Sequence, residues 1–504
     1  MKNIAKLTLI SLLFLCPEFF AQEDSTFSTD SLKEAFTYAS VADLREQLDD
    51  IFNDPNFSHA NWGVIIQSLQ TGEYFYKRNE DKLFIPASNL KILTSAAGLL
   101  LLGENYRFST DIYYSGKIYG SVLQGNLIVR GKGDPTISGR FFNGRILKVF
   151  EDWADSLLKY GIDEIRGNII GDDNYFDDQG LGYGWAWNHE SFWFSAQSGA
   201  ISLNDNCVDL LITVNKDDSS VTVDHLPETN YVVVFNNVTV NDKSNKPDVN
   251  VFRERGTNLI NVFGTVPFTT DTIRIFATVN NPTQYAMVVL RDILISRGIS
   301  VKGSAEDIDN ISESIDYYSL PKLFTYYSPE LHEIIKIINK ESSNFYAEQL
   351  LKTIGYELEG LGSAANGIKW IKAALSEMGI NPESLIIKDG SGLSPYNLIS
   401  PRHIISVLKY IYKSKLFTSF YNSLPVAGKD GTLGKRMLDS RAEGNVRAKT
   451  GFLENVKSFS GYLKTGDDEL IAFSMILNDY NLPGKLVENL QDLVCLRLVN
   501  FKRK

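Results

Sequence analysis

One change of pattern along the chain constrains its fold more than any other feature. Residues 86–103 (PASNLKILTSAAGLLLLG) have helical spacing and are apolar on nearly every side, with Pro86 where helices start and Gly103 where they stop. A helix that apolar belongs in the centre of a domain. From about 106 to 310, short alternating runs between Gly, Asn and Asp turns predict strands, and helical spacing returns after about 315. This order indicates an α/β domain that is interrupted by a large β-rich insertion.

The patterns also divide the chain into segments. The first 21 residues have a basic start and an apolar run too short to span a bilayer permanently, which is typical of a secretory signal cleaved near Ala21. Cys16 leaves a lipoprotein open, although Leu15 precedes it where a small residue is wanted. The expected division is 1–21 for the signal, 22–105 and 315–504 for the α/β domain, 106–207 and 279–314 for an inserted domain, and 208–278 for a nested β-rich domain.

Charge and histidine content exclude two classes of function. The chain has 50 Lys and Arg against 61 Asp and Glu, a net charge of -11, which is the wrong sign for a nucleic-acid-binding protein. Its five histidines have no metal-ligand spacing and HExxH is absent, so a zinc enzyme is excluded. The basic tail Lys502-Arg503-Lys504 allows at most peripheral contact with a membrane, and a frayed, solvated end is expected there.

The first of three candidate catalytic motifs opens the apolar helix. Ser88 and Lys91 are three residues apart, so on a helix they share a face and the amine can reach the hydroxyl. A lysine beside an apolar helix loses its proton more easily than one in water and can act as a base. Taken alone the motif is weak, because a serine cap followed by a surface lysine has the same spacing.

Two further motifs lie far along the chain. Ser342 and Asn344, in Ser342-Ser343-Asn344, can point into one cleft from a helix start, where a capping role is the alternative. Lys449-Thr450-Gly451 opens a predicted strand, and its lysine and hydroxyl suit a terminal carboxylate while glycine lets a substrate backbone approach. A second copy, Lys464-Thr465-Gly466, runs into two aspartates and predicts only a hairpin turn.

The three motifs in this order are the signature of penicillin-binding proteins and serine β-lactamases. The chain resembles one family in particular, the class C low-molecular-mass penicillin-binding proteins, which are D-alanyl-D-alanine carboxypeptidases and endopeptidases. The long stretch between Ser88 and Ser342 agrees, because that family carries two extra domains there. The resemblance extends to the segments IPASNLKILT, VRGKGDPTIS, GNIIGDDNYFDD, AISLNDN, INKESSNFYAEQLLK, DGSGLSPYN and GKDGTL.

This resemblance implies an α/β (α+β) penicillin-recognising serine transpeptidase/β-lactamase-like fold with two nested domains inserted. It also implies an acyl-enzyme mechanism that needs no metal and no cofactor. The roles that it implies are Ser88 as nucleophile, Lys91 as its base, Ser342 as proton donor to the leaving amine, Asn344 as holder of the peptide amide, Lys449 and Thr450 as the carboxylate-binding pair beside Gly451, and the backbone N–H groups of Ser88 and Phe452 as the oxyanion hole.

The chain departs from the family pattern at two positions. Phe452 stands where the family commonly has Thr, which keeps the backbone N–H but narrows the cleft. Pro395 stands where the family usually has Arg to recognise the stem-peptide side chain. Asp172 matches the acid that binds the substrate amine in that family, although a turn or cap role is an equal alternative. We therefore expect the ammonium end of a diamino acid to be recognised and its carboxylate end to be read less stringently.

The resemblance implies a periplasmic serine D-Ala-D-Ala carboxypeptidase, with D,D-endopeptidase activity left open. Its expected partners are peptidoglycan peptides and β-lactam antibiotics, which acylate the same serine. One alternative is a wall-binding or scaffolding protein that keeps the cleft without turnover. A β-lactamase is the other, and the long insertion argues against it.

Overall fold

The computed structural model of the chain describes residues 37–504, with the exception of residues 242, 244 and 313. The predicted signal peptide and Cys16 lie outside the described residues. Among the residues that are described, no helix combines the length and the apolar character that a bilayer crossing needs.

Several helices have a serine as the N-terminal cap, whose side chain accepts a hydrogen bond from the first turn. Ser40 and Ser400 each form a capping box, in which the side chain accepts an N–H of the first turn while the third helical residue bonds back. The helices are α1 (Val41–Phe52), α2 (Leu90–Leu102), α3 (Lys148–Lys159), α4 (Pro282–Ser296), α5 (Leu331–Lys340), α6 (Asn344–Glu359), α7 (Ala364–Glu377), α8 (Pro401–Lys413), α9 (Phe417–Ser423) and α10 (Gly484–Asn500).

The strands concentrate in the interrupted region and at the C-terminal end. They are β1 (Thr37–Ala39), β2 (Asn61–Ser68), β3 (Tyr74–Arg78), β4 (Ser109–Tyr114), β5 (Lys117–Tyr119), β6 (Val122–Gln124), β7 (Leu127–Gly131), β8 (Glu164–Ile165), β9 (Ile169–Asp172), β10 (Cys207–Val214), β11 (Val221–Leu226), β12 (Val233–Val240), β13 (Asp248–Arg253), β14 (Leu259–Val266), β15 (Thr272–Thr278), β16 (Ser300–Val301), β17 (Ala305–Asp307), β18 (Lys322–Tyr327), β19 (Arg447–Leu453), β20 (Val456–Lys464), β21 (Leu470–Asn478) and β22 (Phe501–Arg503).

A five-stranded antiparallel sheet joins the two ends of the chain. Its order is β19-β20-β21-β2-β3, so two strands that precede the strand-rich region pair with three that follow it. One core contains the fully buried residues of α2 together with α5, α6 and α8, and a second core contains α1, α10 and apolar strand residues. Helices therefore cover the sheet, and α2, with ten buried residues among its thirteen, lies in the centre as the sequence predicts.

The strand-rich region forms four further sheets. A five-stranded sheet (β17-β9-β7-β4-β18) and a four-stranded sheet (β16-β8-β6-β5) come from both sides of the segment 207–278, which itself forms two three-stranded sheets (β11-β10-β15 and β12-β14-β13). The pairing of β18 with β4 differs from the expected boundary at residue 315, because residues 322–327 complete the inserted sheet. The run KLFTYY alternates as a strand does, and Ser328-Pro329 ends it before α5 begins.

The C-terminal tail is ordered, so the expectation of a frayed end is wrong. Strand β22 pairs in parallel with β1, and Phe501 is buried against Phe75 with ring centroids 5.5 Å apart. Arg503 forms ion pairs with Glu469 and Glu73, each at 2.9 Å. The buried ring of Phe501 and the ion pairs of Arg503 hold the tail in place, although its basic charge alone predicts a solvated end.

Candidate active site

Ser88 lies in a tight turn at the start of the buried helix. The turn spans Ala87–Asn89 and leads directly into α2, and Ala87 has the uncommon left-handed backbone angle φ 47°. Strained backbone of this kind persists only where its surroundings hold it. The side-chain oxygen of Ser458 donates to the carbonyl of Pro86 at 2.6 Å, and the amide of Asn89 donates to the carbonyl of Lys449 at 3.0 Å. These two hydrogen bonds attach the turn to strands β19 and β20 of the sheet.

Lys91 is fully buried, and its ammonium group has three acceptors. Its Nζ lies 2.9 Å from Ser88 Oγ, 2.6 Å from Asn344 Oδ1 and 2.7 Å from the carbonyl oxygen of Ser391. A neutral amine has two N–H groups and one lone pair, so when Asn344 and Ser391 take the two donors the lone pair faces Ser88 Oγ. Burial lowers the pKa of Lys91 to about 7, against the opposing charges of Asp389 and Glu348. Much of the amine is therefore neutral near pH 7.

Ser342 and Asn344 come from the break between α5 and α6. The helix cap is Ser343, whose Oγ accepts the N–H of Tyr346 at 3.3 Å, and this leaves Ser342 free of the capping role. Ser342 has φ 59°, and its Oγ accepts a hydrogen bond from Lys449 Nζ at 2.7 Å. The Asn344 amide donates to the carbonyl of Phe194 at 2.7 Å, so a segment of the insertion helps to orient it.

Lys449, Thr450 and Gly451 lie on the edge strand β19, alongside the Ser88 turn. Lys449 is fully buried, and its pKa is held well below the usual range by burial and by the charge of Lys91. The hydroxyl of Thr450 is 2.8 Å from that of Thr432. A Cβ added at Gly451 would lie 3.0 Å from the backbone nitrogen of Ser88, so only glycine lets the strand approach the turn this closely.

Contacts therefore join all three motifs into one group. Lys91 contacts both Ser88 and Asn344, which joins the first motif to the second. Ser342 contacts Lys449, which joins the second motif to the third. Gly451, in the third motif, lies close to Ser88. Phe452 follows on the same strand with its ring 46% exposed, 4.6 Å below the ammonium of Lys457. That Phe452 narrows the cleft stays a prediction.

Asp172 lies apart from this group. It ends β9 in the inserted sheet and is 2% exposed, with the guanidinium of Arg130 at 3.3 Å and a hydrogen bond from the hydroxyl of Tyr317. Arg130 also stacks on Tyr317, 3.7 Å from its ring centroid. The carboxylate is already paired, so a substrate ammonium would have to displace the guanidinium. These contacts argue against the predicted amine-binding role, which sequence position alone suggested.

Four polar residues of the site were missed from the sequence. Both carboxylate oxygens of Glu348 accept the N–H of Gly390 and one also accepts that of Ser391, whose carbonyl contacts Lys91. Asp389 accepts the indole N–H of Trp185 at 3.0 Å. All four lie in segments that carry the family resemblance; they are Glu348 in INKESSNFYAEQLLK, Asp389 and Ser391 in DGSGLSPYN, and Thr432 in GKDGTL.

Comparisons with known proteins find a matching family model and similar carboxypeptidases. The model of the D-Ala-D-Ala carboxypeptidase 3 (S13) family matches residues 44–494. A D-alanyl-D-alanine carboxypeptidase of Actinomadura sp. (strain R39) is 30% identical over 474 residues, which cover 92% of this chain and 86% of the relative. The D-alanyl-D-alanine carboxypeptidase DacB of Haemophilus influenzae is 28% identical over 453 residues, covering 88% of this chain and 89% of the relative.

Solved structures give the same result for the fold. The crystal structure of penicillin binding protein 4 (dacB) from Haemophilus influenzae superposes with a TM-score of 0.75 at 26% identity, covering 90% of this chain and 98% of that one. A second structure of that protein, in complex with a β-lactam, superposes with a TM-score of 0.71 at 25% identity over the same shares of the two chains. The predicted fold class is confirmed.

Proposed function

The chain belongs to the D-Ala-D-Ala carboxypeptidase 3 (S13) family and is a serine D-Ala-D-Ala carboxypeptidase, and from this premise we propose that Ser88 is the residue that is acylated. The observation that carries the proposal is the 2.9 Å contact between Ser88 Oγ and the buried amine of Lys91. Two other acceptors hold that amine, so its lone pair is directed at the hydroxyl when it is neutral.

The reaction begins with a proton transfer from Ser88 Oγ to neutral Lys91. The serine oxygen attacks the carbonyl carbon of the penultimate D-Ala, and the backbone N–H groups of Ser88 and Phe452 stabilise the oxyanion. Lys449 and Thr450 hold the terminal carboxylate. Collapse of the tetrahedral intermediate breaks the C–N bond, and Ser342 passes a proton to the leaving amine of D-Ala and takes one from Lys449, whose Nζ contacts its Oγ. Water then attacks the ester and gives its proton to Lys449 through Ser342, and Lys91 returns its proton to Ser88 Oγ as the ester bond breaks.

The substrate is the C-terminal D-Ala–D-Ala of a peptidoglycan stem peptide, and the site is periplasmic after export by the N-terminal signal. A β-lactam acylates the same serine, because its amide presents a carbonyl and a carboxylate to the same groups. The D,D-endopeptidase reaction breaks an equivalent amide with a larger leaving group and uses the same residues. Asp172 is left out of this site because Arg130 and Tyr317 already occupy its carboxylate.

Labelling with a fluorescent penicillin, followed by peptide mapping, tests the assignment. We expect the wild-type protein to carry the label on Ser88, and we expect Ser88→Ala to carry none. Matched controls are Ser343→Ala, next to Ser342 in the motif, and Ser95→Ala, one turn beyond Lys91 on α2. Label on another residue would refute the proposal.

Incubation with purified muropeptides separates the remaining functions. Release of D-Ala from a pentapeptide establishes the carboxypeptidase, and cleavage of a cross-linked dimer adds the endopeptidase. A protein that is labelled by penicillin but releases nothing would be the scaffolding alternative. Rapid loss of the penicillin label would indicate the β-lactamase.

A further inference from the structure

In the nested domain, the outward side chains of one three-stranded sheet are exposed or half-buried. In this sheet, β12-β14-β13, the inward positions are valines and isoleucines of the core, such as Val238, Ile260 and Val251. The outward positions are Val233, Phe235, Asn237 and Thr239 on β12, Leu259, Asn261, Phe263 and Thr265 on β14, and Asp248, Asn250 and Phe252 on β13.

The register makes the outward side chains a regular pattern of phenylalanine and asparagine. Across the sheet, Asn261 lies between Phe235 and Phe252, and in the adjacent row Phe263 lies between Asn237 and Asn250. Each ring is thus flanked by amides and each amide by rings. We call these six residues the Phe/Asn face.

The exposure of the three phenylalanine rings to water is energetically unfavourable. Phe235, Phe252 and Phe263 are 46%, 47% and 42% exposed, although the core of the domain is already closed by the opposite face. Contiguous exposed aromatic side chains on a soluble protein mark interaction sites. In the described part of the chain the side-chain amides of Asn237 and Asn261 make no hydrogen bond, so their donors and acceptors are available to a ligand.

The size of the face decides between a protein and a smaller occupant. Two strands of eight residues and one of six give an area of at most roughly 14 Å by 26 Å. A stable protein partner requires about 800 Å² from each side, which is about twice this area. A second copy of the chain is therefore a poor occupant.

The charge of the Phe/Asn face excludes phosphates and anionic lipids as ligands. Among the outward strand positions the one charged side chain is Asp248, at the end of β13, so the face offers no cation to a phosphate or an anionic lipid. Sugar rings have apolar C–H faces that pack on aromatic rings, and their hydroxyl and acetamido groups hydrogen-bond to amides. Rings two strands apart lie about 10 Å from each other, a distance on the scale of one disaccharide.

We propose that the Phe/Asn face binds the glycan strand of peptidoglycan, a β-linked polymer of N-acetylated amino sugars. The identity of the polymer rests on the proposed function, because stem peptides are attached to that strand. Phe235, Phe252 and Phe263 stack on successive sugar rings, and Asn237 and Asn261 bind the acetamido groups. The nested domain thereby holds the enzyme on its insoluble substrate while the Ser88 site acts on the attached peptides.

Binding to glycan strands that an amidase has stripped of their peptides tests the inference. We expect the wild type and Ser88→Ala to co-sediment with the strands equally, because no stem peptide is needed. The triple variant Phe235→Thr/Phe252→Thr/Phe263→Thr should bind at least tenfold more weakly; threonine suits an exposed strand position. Phe276→Thr is the matched control, since Phe276 is 38% exposed on β15 in the other sheet of the same domain.

Melting temperatures of both variants verify that the domain is folded. Failure of the wild type to bind peptide-free strands would overturn the inference, as would equal binding by the triple variant. A concentration-dependent dimer that the triple variant abolishes would also overturn it in favour of a second copy. None of these outcomes affects penicillin labelling of Ser88, so the proposed function fails or stands separately.

Discussion

At the scale of single residues, the site depends on two buried lysines with different partners. Lys91 contacts Ser88, and Lys449 contacts Ser342, so one amine faces the proposed nucleophile and the other faces the proposed proton donor. Each is removed from water, which favours the neutral form, and the charge of Lys91 lowers the pKa of Lys449 further. Two adjacent ammonium groups in one dry cleft repel, which keeps at least one of them neutral.

The pH dependence of acylation follows from Lys91. The base must be neutral, so the rate should rise as pH increases through about 7, the pKa that burial gives Lys91. The charged groups that face this lysine are Glu348 on α6 and Asp389 on its loop, which raise its pKa, and Lys449 on β19. Burial raises the pKa of Glu348 to about 7, so Glu348→Gln removes a carboxylate that is partly ionised in this pH range, and we expect the acidic limb of the profile to move to lower pH.

The same variant should lower the maximal rate about tenfold, because Gln accepts the backbone N–H groups of Gly390 and Ser391 more weakly than a carboxylate does. Second-order rates of penicillin acylation between pH 5 and 9 measure both effects. Glu357→Gln is the control, because Glu357 lies on the same helix and accepts a hydrogen bond from the Tyr106 hydroxyl. An unmoved limb in Glu348→Gln would contradict this account of the base.

At the scale of elements, the tripeptide Lys-Thr-Gly occurs twice in this chain and has a different local structure each time. Lys449-Thr450-Gly451 lies within edge strand β19, beside the Ser88 turn. Lys464-Thr465-Gly466 ends β20, where Thr465 Oγ1 accepts the N–H groups of Asp467 and Glu469 and forms the predicted hairpin turn. The strand context, rather than the tripeptide, decides which copy contacts the nucleophile.

Gly451→Ala tests the close approach of β19 to the Ser88 turn. The added Cβ would lie 2.1 Å from Ser458 Oγ, which would have to rotate away from its hydrogen bond to the Pro86 carbonyl. It would also lie 3.0 Å from Ser88 N and from the carbonyl oxygen of Pro86, which are backbone atoms. We expect penicillin acylation to slow at least tenfold, because a displacement of about 1 Å costs roughly 10²-fold in rate.

Gly434→Ala is the control, since its nearest neighbour would be 3.5 Å away, an ordinary contact. Rates of acylation and melting temperatures of the two variants are compared side by side. A Gly451→Ala protein that reacts as fast as the wild type would show that the strand and the turn can separate without loss of function.

At the scale of the whole molecule, we propose that the catalytic domain is assembled from both ends of the chain and that two nested domains interrupt it. The strand pairing supports this division, with the second boundary near 328 in place of 315. The insertion also contacts the site, because Phe194 holds the Asn344 amide and Trp185 holds Asp389. The insertion therefore helps to orient two polar side chains of the candidate site.

Truncation of the C-terminus measures how much the pairing of β22 with β1 stabilises the protein. Removal of residues 501–504 deletes β22 and the buried ring of Phe501, and we expect a loss of about 3–5 kcal/mol in unfolding free energy, as for other buried phenylalanines. Penicillin labelling at low temperature should persist, since no residue of the site is removed. Lys504→Ala is the control, because its ion pair with Asp43 is exposed to solvent and such pairs contribute little to stability. An unchanged melting temperature in the truncated protein would contradict the role of this strand.

The sequence by itself determined the central helix, the order of the three motifs and the interrupted domain. Helical and strand periodicity are local, and the spacing of Ser88 and Lys91 lies within one helical turn. Only the tertiary structure decided which distant residues meet. Ser391 reaches Lys91 from 300 positions away, Arg130 and Tyr317 occupy Asp172, and β18 joins the inserted sheet. The alternation of Phe and Asn likewise exists only through the register of β12 with β14. Such contacts depend on strand pairing and burial between remote segments, and neither is encoded in the periodicity of any single segment.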